Sequence, residues 1–457
     1  MHFLKKTATY GFLLGLGVLI SWLLVISFNA RGFYTLVYVP EAALLVLFGY
    51  VYLPVIISIL TRPYLKRLVW PSNLPGKTIQ NYNYFVILIP AHNEVRMLPK
   101  LLQSIRNQQY PSGHFMACVV ADNCSDGTVA VARQYESLCL ERHTDAPSNK
   151  GQALSFGWKE LEANSEIPLD AIILLVDADC ELEPDYLAAM NRAFLEPDSA
   201  EVLQSFRYIS NYRASGVSTL DAAAEALRHW VELGSRKALR LDARIFGTGV
   251  CFRRSVLAYV LKGQQHNLVE DKAWHARLFE GNYRVDWCPA AHLATSATEN
   301  EEDFNRQRKR WVGGQLSLIR QLGGRMFWQG LRRANLSQLD YTLCLMQLPR
   351  SFMLALAGLF GMIAFVFPDA SFLPWWGWGL LGAFFIVYAA YGLFLIRAEP
   401  QLYLRLLFAP LLVLRVFLIT FQWLSGHGIT NWEAMRDGEV RTATEQLSVA
   451  ANPEKPS

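Results

Sequence analysis

The sequence predicts an α/β protein in which a doubly wound, mostly parallel sheet is inserted between transmembrane helices. Three observations carry this expectation. Hydrophobic residues make up 52% of the 457-residue chain and charged residues only 18%, an apolar balance for a protein of this size. The apolar residues crowd toward both ends and leave an ordinary soluble composition between about residues 77 and 340. Within that middle stretch, short apolar runs alternate with helical patterns, the rhythm of strand–helix–strand units.

The first element expected is a transmembrane hairpin over residues 1–68. Tyr10 to Phe28 is almost wholly apolar, follows Lys5 and Lys6, and is long for a signal-peptide core; no small-x-small cleavage pattern precedes Arg31. Leu36 to Leu60 is the returning span, closed by Arg62, Lys66 and Arg67, the basic flank that the positive-inside rule assigns to the cytoplasm.

A cytoplasmic domain follows over residues 77–300. Phe85–Ile89, Met116–Val120, Ile172–Val176 and Val202–Phe206 read as buried parallel strands. Helical patterns lie between them at Val95–Gln109, Thr128–Ser137, Gly151–Leu161 and Asp185–Phe194. Residues 301–340 form an amphipathic interface segment. Trp311, Leu316, Ile319, Leu322 and Phe327 share one apolar face beside Arg308, Lys309 and Arg310, a pattern suited to a membrane surface.

Membrane and interfacial helices fill residues 341–426. Leu343–Phe367 and Trp375–Ile396 are each long enough to span. Leu402–Leu424 carries Arg405, Pro410 and Arg415, and a central Arg costs roughly 2.5–3.5 kcal/mol on insertion scales. This last segment is therefore expected to lie in the interface, which gives four crossings with both termini cytoplasmic. A polar cytoplasmic tail, 427–457, ends the chain.

The formal net charge of +4 gives no reason to expect nucleic acid as a partner. Seven cysteines without a CxxC pair argue against both a disulfide framework and structural zinc, and fit a reducing compartment.

In a doubly wound sheet, ligands bind outside the carboxyl ends of the strands, so the residues after each apolar run are the ones that matter. The first run ends in Pro90-Ala91-His92-Asn93-Glu94, the second in Ala121-Asp122, the third in Asp177-Ala178-Asp179. One acidic strand end is usually a turn or a helix cap; three on one rim suggest a site. Asp177 and Asp179, at i and i+2 after a buried strand, suit a hard divalent cation that shares its shell with phosphate oxygens.

Lys150 opens a helix whose amino end would meet an anion. Gly247-Thr248-Gly249 permits close backbone approach to a ligand. Glu270-Asp271 starts another helix, where a carboxylate either complements the macrodipole or acts as general base toward an acceptor hydroxyl. Gln307-Arg308-Lys309-Arg310-Trp311 is the most specific run of all.

The order of these motifs resembles family 2 of the glycosyltransferases, the membrane-bound GT-A enzymes that include cellulose, hyaluronan and poly-N-acetylglucosamine synthases. The match covers roughly residues 85–315. The resemblance implies a GT-A-like fold, with Pro90, Ala91, Asn93 and Glu94 lining a nucleotide pocket and Asp122 contacting the uracil of a UDP-sugar. It implies that Asp177 and Asp179 engage the diphosphate through Mg2+ or Mn2+, with Lys150 on the donor side. Asp271, beside Glu270, matches the catalytic base of a Thr-Glu-Asp motif, although Val269 stands where the Thr would be. Gln307, Arg310 and Trp311 match a Gln-x-x-Arg-Trp signature that binds the diphosphate and the acceptor, near Gly247, Thr248 and Gly249.

The activity so implied is inverting sugar transfer at a bacterial inner membrane, to a growing exopolysaccharide or cell-surface glycan or, alternatively, as a single sugar to a membrane lipid. It leaves room for a partner subunit of a polysaccharide synthesis complex. A scaffold that kept the fold but lost catalysis is the non-enzyme alternative; it would be expected to lose metal or base carboxylates, and all are present here.

Overall fold

The computed structural model describes residues 32–69, 81–145, 148–262, 269–298 and 301–422. The run Tyr10–Phe28 and the tail after Gln422 lie outside the described residues.

The middle of the chain folds as one eight-stranded sheet in the order β3-β2-β1-β4-β7-β6-β8-β5. β1 (Phe85–Ala91), β2 (Phe115–Asp122), β3 (Leu138–Arg142) and β4 (Ile172–Leu175) make a parallel half. β1, β2 and β4 are largely apolar on both faces because both faces are covered, while the edge strand β3 carries Glu141 and Arg142. α2 (Leu98–Arg106) and α3 (Thr128–Gln134) lie in the connections between these strands. α4 (Lys150–Ala163) is packed through Ala153, Leu154, Trp158 and Leu161 into the same core as Val86, Leu88, Cys118 and Val120. Asn149 starts α4 with a capping box, its side chain accepting from the Gln152 amide while the Gln152 side chain accepts from the Asn149 amide.

The other half is mixed. It comprises β5 (Cys180–Leu182), β6 (Val202–Ile209), β7 (Val250–Arg253) and β8 (Val285–Thr295), with α5 (Tyr186–Phe194) between β5 and β6. β6 is the fourth expected strand. It points the same way as β4 but does not pair with it: β7 intervenes, antiparallel to both. Val202–Phe206 is thus a buried strand running parallel to β4, as expected, with β7 between them. β8 pairs parallel with β6 through a register shift that passes from Ser205↔Cys288 to Phe206↔His292. A bulge there accommodates Pro289, which cannot donate to a ladder.

A helical element of three parts crosses behind this half: α6 (Gly216–Leu227), a π-helical turn at Arg228–Leu233, and α7 (Gly234–Leu239). Two further helices, α8 (Arg254–Leu261) and α9 (Glu270–Glu280), flank a loop outside the described residues. The basic run sits on α10 (Glu301–Leu318), which continues through a second π turn, Ile319–Gly323, into α11 (Gly324–Arg333).

Of the apolar face expected at a membrane surface, Ile319 and Leu322 meet protein. Leu318 and Met326, with Ile319 and Leu322, pack against Ala273, Ala276 and Phe279 of α9 and against Tyr341 and Leu345. Trp328 remains exposed.

Among the described residues, two helices are each long and apolar enough to cross a membrane: α1 (Gly32–Val69), over Val37–Val69, and α14 (Trp375–Leu395). Over the expected span Leu343–Phe367 the chain is apolar and long enough only as a bent pair of helices. α12 (Leu336–Met346) and α13 (Arg350–Val366) meet at a 70° bend, where Pro349 biases Leu348 away from the helical region. α1, α13 and α14 bundle through Leu44, Phe48, Met353, Phe360 and Trp378. Glu41, buried on α1, accepts hydrogen bonds from Ser371 Oγ at 2.5 Å and the Phe372 amide at 2.8 Å, closing the end away from the sheet.

Beyond α14, residues Pro400–Phe408 form a 3-10 helix, followed by α15 (Ala409–Gln422). The fourteen described residues of α15 reach about 21 Å. Arg405 is not in an apolar setting. Its guanidinium donates to Ser215 O and Thr219 Oγ1, both at 2.6 Å, and to Arg213 O at 3.0 Å, all at the start of α6.

Candidate active site

The loops after β1 and β2 are stitched together at the carboxyl rim. Asn93 takes a left-handed conformation, φ 58°, and its side-chain oxygen accepts from the Ser125 amide at 2.8 Å. The Glu94 amide donates to Thr128 Oγ1 at 2.8 Å. Pro90 and Ala91 end the strand just before this corner. Asp122, buried at the end of β2, is held by Arg142 Nη1 at 2.7 Å and by the Ser148 hydroxyl on its other oxygen. An ionised carboxylate offers about four lone-pair sites, so these two partners leave Asp122 with acceptor capacity toward a ligand. Neither Arg142 nor Ser148 carries a motif signal of its own.

Four separated stretches of chain then converge. Asp177, just past β4, forms an ion pair with the Lys150 ammonium at the start of α4. Lys150 Nζ also donates to Gly247 O at 2.8 Å. Thr248 Oγ1 accepts from the Asp177 amide at 2.9 Å. Gly247 has φ +75°, and a Cβ there would stand 3.4 Å from Asp271 Cβ and 3.8 Å from Lys150 Nζ. Asp271 therefore faces Lys150 across Gly247, with the pair Asp177–Lys150 on the far side. Asp271 begins α9, where its carboxylate also accepts from the Lys272 amide at 2.8 Å.

The turn Phe246–Gly249 is fixed from below by a residue without a motif. Gln204, fully buried on β6, accepts from the Phe246 amide at 2.9 Å and donates to Thr248 O at 3.0 Å and Gly249 O at 3.2 Å. Its sequence signal is no more than one of several polar residues in a buried strand. Arg207, on the same strand, is paired with buried Glu225 at 2.7 Å.

The Gln-x-x-Arg-Trp residues sit on α10, which is tied to α9 by Lys272 Nζ donating to Gln315 Oε1 at 2.6 Å. Arg310 stands close enough to Glu270 to act on its ionisation. Trp311 is half-buried, with the Arg308 guanidinium 4.8 Å from its ring centre and Arg308 in turn bonded to Asp221 at 2.7 Å. Gln307 is also half-buried. The structure thus brings Lys150, Asp177, Thr248, Gly247 and Asp271 into one constellation, with Glu270 and Arg310 at its edge.

The electrostatics show a shortage of positive charge. Burial raises the Glu270 carboxyl and Asp271 raises it further, against the pull of Lys150 and Arg310. At Lys150, burial opposes the charge, but Asp177, Glu270 and Asp271 outweigh it and the ammonium is held above its usual range. Glu94 is pushed up to about 7 by burial, then by Asp179, Asp177 and Asp126. Asp179 is open to solvent at the mouth, yet the protein around it and the charge of Asp177 raise it too, with Lys150 and Arg207 pulling the other way.

Carboxylates that raise one another in this way suit a hard divalent cation. Among the described residues no three His, Cys, Asp or Glu side chains converge tightly enough to cage a metal by themselves. The donor set that fits is Asp177 and Asp179, with the remaining positions left to phosphate or water.

The family described as "Glycosyltransferase like family 2" matches residues 83–314, half of the chain. The chain belongs to this family. The matched stretch contains the whole sheet and the run through Trp311, and the parallel half followed by a mixed half is the GT-A-like arrangement expected from the motifs.

Among curated proteins, YdaM of Bacillus subtilis (strain 168), named as a probable glycosyltransferase, is 25% identical over 235 residues, covering 50% of this chain and 54% of that protein. The β-monoglucosyldiacylglycerol synthase of Trichormus variabilis is 24% identical over 261 residues, covering 54% and 53%. An N-acetylglucosaminyltransferase of Mesorhizobium japonicum is 25% identical over 257 residues, covering 53% and 57%. The chain spans about half the length of the curated relatives it matches. Among solved structures, the mannosyltransferase PcManGT from Pyrobaculum calidifontis, in complex with GDP-Man and Mn2+, is 16% identical and covers 81% of this chain and 98% of its own, with a TM-score of 0.48.

Proposed function

We propose that this chain transfers a sugar from a nucleotide-sugar donor, a UDP-sugar, to an acceptor hydroxyl with inversion at the anomeric carbon. The observation that carries the reading is the meeting of Lys150, Asp177, Gly247 and Asp271 at the carboxyl rim of the parallel strands. Asp271 takes the proton of the acceptor hydroxyl. The hydroxyl oxygen attacks the anomeric carbon as its bond to the diphosphate breaks, and the electron pair leaves with UDP. Lys150 and Arg310 stabilise the charge that grows on the departing oxygen.

Pro90, Ala91, Asn93, Glu94 and Asp122 form the nucleotide wall, and Glu270 supports Asp271. Gln307 and Trp311, with Thr248 and Gly249, border the acceptor side. Asp177 and Asp179 would hold Mg2+ or Mn2+, which when bound supplies further neutralisation of the diphosphate.

The catalytic domain, 77–300, is read as cytoplasmic at a bacterial inner membrane, with 1–68 and 341–426 as its membrane parts and 301–340 joining them. A growing glycan is the acceptor of choice. A membrane lipid is the second reading, favoured by the resemblance to a glucosyldiacylglycerol synthase.

The test is transfer by the purified full-length chain from a panel of labelled nucleotide sugars, with product sized and partitioned between water and solvent. Asp271→Asn is expected to lower turnover about a hundredfold or more with UDP affinity by calorimetry unchanged, and chelation of divalent cations to stop transfer. Wild-type turnover in that variant would return Asp271 to the status of a helix cap.

A further inference from the structure

A solvent-open cavity of about 220 Å3 lies away from the constellation above, lined by Arg62, Lys66, Trp230, Phe394, Leu395 and Arg397. It is smaller than the pockets that enclose whole drug-sized ligands, about 300 Å3 and upward, so it suits a small charged group rather than a whole molecule. Three cations and no carboxylate line it. Arg62 and Lys66 are one turn apart near the end of α1 and share a face. Phe394 and Leu395 close α14, Arg397 follows after Ile396 with φ 54°, and Trp230 reaches in from the π turn behind the sheet. The pocket therefore forms where the two apolar helices meet the catalytic domain.

A basic residue near a helix end complements the macrodipole, and that accounts for a scattered cation. It does not account for a cavity between two helices with three cations on its wall. Two details point to an anionic ligand. The Arg62 guanidinium lies over the Phe394 ring at 4.5 Å, and its buried Nε has no hydrogen-bond partner. Phe394 on the pocket wall exposes 50% of its surface, and α1 and α14 carry further exposed apolar side chains, Leu60, Ile386 and Val387 among them, on the two helices long enough to cross a membrane.

We propose that this cavity binds the phosphate headgroup of an anionic phospholipid, with the acyl chains lying along the exposed rim of α1 and α14. Cations recognise the phosphate, and the apolar border selects a lipid over free phosphate. The inference rests on the membrane placement proposed above.

The experiment is native mass spectrometry of the full-length chain in mild detergent with phosphatidylglycerol, with phosphatidylcholine, and with inorganic phosphate as competitor. Wild type is expected to retain one phosphatidylglycerol at least about tenfold better than phosphatidylcholine. Arg62→Gln combined with Arg397→Gln should remove that preference, since each cation near an anionic surface contributes about a factor of five in affinity. Lys66→Gln alone should weaken it less, and Arg332→Gln with Arg333→Gln, on α11, should leave it intact.

Equal retention of both lipids by wild type, or an unchanged preference in the double variant, overturns the assignment. Displacement of the lipid by millimolar inorganic phosphate makes this a free-phosphate site and overturns it as well. Release of the chain from membranes by alkaline carbonate would bring down the membrane placement itself. A chain that stays in the membrane yet shows no lipid preference brings down the pocket alone.

Discussion

The two glycines at the centre of the site are expected to fail in different ways when each is changed to Ala. Gly249 has φ +63°, and an added Cβ would lie 2.2 Å from Leu293 Cδ2 and 2.3 Å from Ser205 Oγ. Leu293 and Ser205 are both fully buried, so neither can swing out to solvent. The Gly249 backbone is also pinned, its amide donating to Leu175 O at 2.8 Å and its carbonyl accepting from the Ser205 amide at 2.9 Å. Left-handed strain costs about 1–2 kcal/mol for a residue with a Cβ, and overpacking a filled core costs about 1–3 kcal/mol more. The sum of about 2–5 kcal/mol lowers the Tm of a domain this size by about 5–15 °C. At Gly247, φ is +75° and the nearest atom to an added Cβ is 3.4 Å away, an ordinary contact, so only the strain of about 1–2 kcal/mol remains. That methyl, however, enters the space between Asp271 and Lys150. Apparent Tm by tryptophan fluorescence and initial transfer rates, both on the full-length chain in detergent, separate the two. Gly249→Ala should be the less stable protein, and Gly247→Ala the one that is folded but slow. A Tm for Gly249→Ala within about 2 °C of wild type, or the larger drop in Gly247→Ala, would refute the argument.

Two further outcomes are expected. His275, buried on α9 and stacked on Tyr341 at 4.1 Å, is held down to about 3 by burial and then by Arg244 and Arg236. The unfolded chain takes up the proton first, so stability is full above about pH 6.5 and falls by about 2 kcal/mol as pH drops to about 5. Denaturation at several pH values should show a flatter slope for His275→Gln, and an equal slope would remove His275 as the source. Arg405→Leu should lower the apparent Tm, because three hydrogen bonds from a charged donor hold residues 400–408 on α6. If this segment lay in hydrocarbon instead, the same change would favour insertion and raise it.

What the sequence disclosed follows from how each element signals itself. β1, β2 and β4 announce themselves as continuous apolar runs because helices cover both faces of the parallel half. β7, only Val250–Arg253, hides behind two positive-φ glycines that read as a turn. β8 carries Pro289 inside it, which argues against a strand until the bulge is known. The α12–α13 bend had a local signal in Pro349, masked by the apolar residues on both sides. The site divides in the same way. Asp177, Asp179 and Lys150 each stand at the end of a legible element, so their candidacy is local. That Lys150 meets Asp177 and Gly247, that Gln204 anchors the glycine turn, and that Ser148 and Arg142 share Asp122 are facts of tertiary contact, which no periodicity encodes.

The contacts between the domain and the membrane-type helices suggest why the two are built on one frame. Arg244 leads into Phe246 and the glycine turn, and it pairs with Glu232 of the π turn. The other oxygen of Glu232 is bound by Arg350 at 2.8 Å, at the first residue of α13, and Arg350 lies 4.6 Å from the Tyr388 ring of α14. Close by, Asp340 of α12 is shared between Arg236 of α7 at 2.7 Å and the hydroxyl of Tyr50 on α1, also at 2.7 Å. Apolar packing alone would allow these helices to slide or rotate at little cost. Ion pairs do not, because separating one leaves a desolvated charge behind, a loss of about 3–5 kcal/mol for a buried pair. The π turn is what lets one helix serve both sides: its extra residue per turn re-aims the side chains, so that Glu232 faces Arg350 and Arg244 together. The segment before Gly247 is thereby fixed relative to α13 and α14, and with it the height of Asp271 above the ends of the apolar helices. Under the function proposed above, an acceptor presented at a membrane surface would meet Asp271 at a set distance, without a separate docking motion.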